Sequence, residues 1–69
     1  MDEHVYKTTE LTGSSRSSME DAIQNAISKA SKTVSNMRWF EVVETRGYIE
    51  KGEVSYWQVT IKIGSTIED

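Results

Sequence analysis

Residues 38 to 47 read Arg38-Trp39-Phe40-Glu41-Val42-Val43-Glu44-Thr45-Arg46-Gly47, and this stretch decides the fold. β-Branched and aromatic residues dominate it and no proline interrupts it, the composition of a strand. Side chains alternate between faces along a strand, which assigns Phe40, Val42, Glu44 and Arg46 to one side and Trp39, Glu41, Val43 and Thr45 to the other. Each side then mixes apolar and charged groups. A strand with one face on a core and the other in water would be cleaner. Both faces therefore have something to touch, and a chain of 69 residues supplies only one of those surfaces.

On the N-terminal side of this strand lies the clearest helix, over residues 17 to 37. Met19, Ala22, Ile23, Ala26, Ile27, Ala30, Val34 and Met37 recur at steps of three and four and make one apolar stripe. Ser17-Ser18-Met19-Glu20 fits a capping box with Ser17 as the cap. Glu20 and Asp21 at the start, with Lys29 and Lys32 near the end, suit the helix dipole. The helix then runs into Trp39 through about two residues. Before it, residues 4 to 12 alternate as a first strand that stops at the turn signal Gly13-Ser14-Ser15. That loop lacks the glycine and lysine spacing of a phosphate loop, so helix capping is its expected role.

On the C-terminal side, Glu50-Lys51-Gly52-Glu53 is a short hairpin turn. A third strand follows from Val54 to Gly64. Ser55, Trp57, Val59, Ile61 and Ile63 are assigned to the helix-facing side, and Val54, Tyr56, Gln58, Thr60 and Lys62 to the outer one. The expected architecture is α+β: a single domain over 1–69 in the order β-α-β-β, a three-stranded antiparallel sheet wrapped around one long helix. Trp39, Tyr56, Gln58 and Lys62 are left on the outside, too aromatic a group for plain solvent.

Composition narrows the function. A domain of this size buries only about 60% of its unfolded surface and usually needs a disulfide, a metal or self-association. There is no cysteine, and His4 is the only histidine, so disulfides, thiolate sites and a histidine cluster within one chain are excluded. Oligomerisation remains. A net charge of −3 and a pI near 5.1 argue against a nucleic-acid backbone as ligand. No apolar run approaches the ~20 residues of a membrane span, and Met1-Asp2-Glu3-His4 does not begin a signal peptide, which makes cytoplasm the expected location. His4 is expected to be solvated near a chain end. Glu41 and Glu44 are three apart on a strand and so are expected to face opposite ways, too divided for an acid–base pair.

The chain resembles the dodecins, small flavin-binding proteins. The residues that carry the resemblance are Val5-Tyr6-Lys7, Leu11-Thr12-Gly13-Ser14-Ser15, Asp21-Ala22-Ile23, Ala26-Ile27, Ala30 and Thr33, then Trp39-Phe40-Glu41-Val42, Arg46-Gly47, and Gln58-Val59 followed by Gly64. The resemblance implies the same strand-helix-strand-strand wrap and a hollow homododecamer of tetrahedral symmetry. It implies flavins such as FMN or riboflavin bound in pairs near two-fold axes for storage and photoprotection, without turnover. Some bacterial members also bind coenzyme A. By the same resemblance Trp39 stacks on the isoalloxazine ring, Gln58 hydrogen-bonds its pyrimidine edge, and Arg46 lies beside the flavin or its phosphate. The residue chemistry suits these roles: an indole is a broad flat surface, a glutamine amide donates and accepts side by side, and arginine both stacks and pairs with phosphate. Two positions depart from the family pattern. Trp57 stands where Tyr or Phe is more usual, and Ser65-Thr66 where an aromatic and often a basic residue follow Gly64. A reading from another class is a structural oligomer or protein-interaction module anchored by Trp39 and Tyr56, with no flavin.

Overall fold

The structure, a computed structural model, describes residues 3–67. It contains β1 (Tyr6–Ser15), α1 (Met19–Ala30), β2 (Met37–Glu50) and β3 (Glu53–Thr66). The sheet is antiparallel with spatial order β1-β3-β2, so the last strand is central. This is the expected β-α-β-β arrangement.

The core sits between α1 and the middle of the sheet. Ala22, Ala26 and Ala30 on the helix bury against Val59, Ile61 and Ile63 of β3, with Leu11, Ile23, Ile27, Val34 and Met37 around them. Alanine at every fourth position is what lets the helix come this close. At Gly13 the approach is closer still: a Cβ there would overlap the Ala22 carbonyl and the Ala26 methyl.

Besides strand ends that shift by one or two residues, three boundaries differ from the sequence reading. β1 does not stop at residue 12 but pairs through Gly13↔Val59, Ser14↔Gln58 and Ser15↔Trp57. The cap is Ser18, not Ser17; its hydroxyl accepts from the Asp21 amide at 3.0 Å, and Ser15 Oγ, itself accepting from the Ser17 amide, donates to Asp21 Oδ2. The helix ends at Ala30 rather than 37. Ser31 and Thr33 turn their hydroxyls onto the Ser28 and Ala30 carbonyls, and the Lys32 and Thr33 amides bond three residues back. Such side-chain competition loosens a helix end. Val34 and Met37 still reach the core, so the stripe is real although Val34 leaves from the six-residue connection and Met37 from the first position of β2. The hairpin turn is as expected, with Lys51 and Gly52 both at positive φ (52° and 79°) between the paired Glu50 and Glu53. Two positive φ angles make a type I′ turn, whose twist matches the strands. Glu68 and Asp69 of the acidic tail lie outside the described residues.

β2 is the unusual element. From Arg38 to Glu50 every residue is exposed, because the helix covers chiefly β1 and β3. Phe40, Val42 and Ile49 are 46%, 43% and 76% exposed on the helix side of the sheet. Neither face of the strand is covered by its own chain, where the sequence reading allowed for one. The shape follows: a radius of gyration of 14.3 Å against the ~11 Å of a compact chain this long. The accessible surface, 5325 Å², likewise exceeds the ~4,400 Å² normal for this mass.

Candidate functional site

The outer face of the sheet, away from α1, carries the residues of interest, and register decides which meet. Directly opposed residues share a face, so the rows across the three strands can be followed in order. Thr8, Gly64 and Trp39 form one row; Glu10, Lys62 and Glu41 the next; then Thr12, Thr60 and Glu44; then Ser14, Gln58 and Arg46; and Tyr56 with Tyr48 closes the series.

Two irregularities in β2 shape this face. The pairing steps from Met37↔Ser65 to Trp39↔Gly64, leaving Arg38 extra, and from Val42↔Ile61 to Glu44↔Thr60, leaving Val43 extra. An extra residue on one strand reverses the alternation beyond it. Strict alternation had put Trp39 and Arg46 on opposite sides; the bulge at Val43 brings them to the same one. It also puts Glu41 and Glu44 on one face, correcting the expectation that they point apart. They remain in separate rows, with Glu41 opposite Lys62 and Glu44 bonded to Arg46. A third irregularity near Ser55 moves Val54 to the helix side, opposite Ile49, against the expected alternation.

Trp39 lies flat across the central strand. Its six-membered ring fills the space a Cβ on Gly64 would need, and Tyr6 of β1 meets it edge-on at 5.7 Å and 60°. The indole is 40% exposed. Gln58 is half-buried, its side-chain amide makes no hydrogen bond to a described residue, and it lines a shallow groove with Ser14, Ser15, Arg16 and Tyr56. Arg46 stands beside Gln58 on the neighbouring strand, but its guanidinium donates to Glu44 Oε1. The Glu44 hydrogen bond, and after it the Tyr48 hydroxyl, raise the arginine's already high pKa, so it stays charged. Both ion-pair partners are about half exposed, where such pairs contribute little stability.

The three expected residues therefore share a face without sharing a pocket. Gln58 and Arg46 are neighbours. Trp39 is over Gly64, six residues along β3 from Gln58, or about 20 Å at the rise of a strand. Two aromatic features were not found from sequence. Tyr48 stacks on Tyr56 at 4.6 Å and 11°, and His4, exposed as expected, stands edge-on to Tyr6 at 6.2 Å. The first depends on the register of the β2–β3 hairpin, which pairs Tyr48 with Tyr56; the second joins residues only two apart at the start of β1. Among the described residues no group of three His, Cys, Asp or Glu side chains gathers to hold a metal ion, and no helix is long and apolar enough to cross a membrane.

Comparison with known proteins agrees on one family. The family profile of dodecin matches residues 5–68. The dodecin of Thermus thermophilus is 43% identical over 65 residues, 94% of each chain. The structure of dodecin from Streptomyces coelicolor superposes with a TM-score of 0.90 at 42% identity, covering 100% of this chain and 99% of the other. A calcium dodecin from Mycobacterium tuberculosis, described with a novel calcium-binding site, shares the fold at a TM-score of 0.78 and 23% identity over 93% of this chain and 91% of its own.

Proposed function

The chain belongs to the dodecin family, and on that premise we propose that it is a non-enzymatic, cytoplasmic flavin store, binding FMN or riboflavin at sites shared between subunits of a homododecamer. The observation that carries this reading is the Trp39 indole. It is a broad aromatic surface on the side of the sheet away from the core, laid over a glycine and left 40% exposed. A core does not need it there; a flat ligand does.

The residues fit a flavin. Trp39 offers a stacking face, and Gln58 has an uncommitted donor and acceptor for a ring edge that bears carbonyl and N–H groups side by side. Both are to act on one ring, yet within a chain they are about 20 Å apart. The Gln58 that meets a flavin on Trp39 must then come from another subunit. Energetics argue the same way. Stacking on one indole contributes roughly 1–3 kcal/mol, and micromolar affinity needs about −8 kcal/mol, so a lone, open platform falls short. A second subunit closing over the ring excludes water and adds the missing contacts. The uncovered apolar residues of β2 supply a reason for subunits to associate.

A bound flavin supplies a light-absorbing, electron-accepting ring. Trp39 stacked on it would serve as the electron donor that quenches the excited ring and so limits photochemistry. On the outer face Glu41 and Glu44 sit in separate rows, Glu44 held by Arg46, an arrangement that suits binding better than acid–base turnover. Adding FMN or riboflavin to the purified protein tests the proposal: flavin fluorescence should be quenched to a stoichiometric endpoint by a particle near twelve times 7.8 kDa. Unquenched flavin with the assembly intact would leave a structural oligomer instead.

A further inference from the structure

We propose that Tyr6 is a positioning residue for the ligand platform, holding the Trp39 indole in the plane in which it receives a flavin; the inference rests on the flavin reading above. The two residues sit on strands that do not touch. Trp39 begins the outer face of β2, Tyr6 begins β1, and β3 runs between them. Their rings meet because Trp39 crosses the central strand at Gly64, where a side chain would block the way. The indole thus has a floor of backbone and an aromatic wall, the edge-on ring of Tyr6 at 5.7 Å.

Among the described residues no other aromatic ring meets the indole. It is 40% exposed, the residue before it is the extra residue of a bulge, and Thr8, its other neighbour across Gly64, is too small to confine a bicyclic ring. A side chain on an open strand face samples several staggered rotamers. Binding then has to select one of them, and affinity falls by the fraction of the time the ring is elsewhere. Edge-to-face contact favours one orientation, and Tyr6 is itself steadied by its strand pairing to Thr66. The ring, not the hydroxyl, makes the contact, so phenylalanine should serve and alanine should not.

The test has one arm without flavin and one with it. In a Trp57→Phe background, where Trp39 is the only tryptophan, time-resolved fluorescence anisotropy reads the motion of its ring alone. Adding Tyr6→Ala should introduce a fast decay from local indole motion; Tyr6→Phe should not, and native mass should be kept by both. Flavin affinity should fall about 2- to 10-fold in Tyr6→Ala, the range of an edge-to-face aromatic contact, and return in Tyr6→Phe. Tyr6→Leu, which keeps apolar bulk on the strand, should behave like the alanine variant if ring geometry is what matters. An unchanged anisotropy decay in Tyr6→Ala, or a change that comes only with loss of native mass, overturns the positioning role. Flavin failing to bind the unmodified protein would sink the flavin reading while the anisotropy arm still reports on Tyr6.

Discussion

The indole of Trp39 occupies the space that a side chain on Gly64 would need, so a residue of the edge strand is seated on the backbone of the central one. Glycine at 64 is therefore part of the platform. Gly64→Ala should displace the indole, costing roughly 1–3 kcal/mol as overpacking does, and flavin affinity should drop with it. Chemical denaturation and a flavin titration on the same sample check both. A variant as stable and as tight-binding as the parent would mean that the indole rests elsewhere.

Trp39→Ala should abolish most flavin quenching and lower affinity by about 5- to 150-fold, the worth of one stacked ring. Native mass should not change, since the core on the other face of the sheet is untouched. Light scattering alongside fluorescence titration separates the two effects.

Gln58→Leu removes a group that has no side-chain partner among the described residues, so folding should be unaffected. Loss of a hydrogen bond that becomes buried on binding costs about 1–3 kcal/mol, again about 5- to 150-fold in affinity. An unchanged titration curve would place Gln58 outside the site.

Glu44→Gln should release Arg46 from its ion pair on the outer face. The freed guanidinium should favour FMN, which carries a phosphate, over riboflavin, which does not, and raising salt should erase the difference. Equal affinities for the two flavins in parent and variant would remove Arg46 from ligand contact.

Much of this was legible in the sequence, and the failures have physical causes. The alanine stripe and the alternation of Val59, Ile61 and Ile63 gave the core directly, because burial imposes a period. The bulge at Val43 had no such marker. No glycine flags it, and both neighbouring positions are exposed, so no hydrophobic pattern registers the slip. Yet it decides that Arg46 shares a face with Trp39 and Gln58. The helix was read too long because Val34 and Met37 keep the stripe going after Ser31 and Thr33 have ended the helical bonding. Trp39 and Gln58 were recognisable by type; their separation on one chain required the register of β3 against its neighbours.

That separation sets the central claim, that one flavin is held by Trp39 of one subunit and Gln58 of another. The most direct measurement mixes the Trp39→Ala and Gln58→Leu proteins, dissociates them and lets them reassemble together. Neither variant alone should bind flavin well, but the mixed particle should regain a fraction of tight, quenched sites, each built from an intact tryptophan and an intact glutamine of different chains. A double variant carrying both changes, reassembled with itself, should regain none. If the mixture binds no better than the separate variants while the unmodified protein binds tightly, both residues act from the same chain and the shared site is wrong.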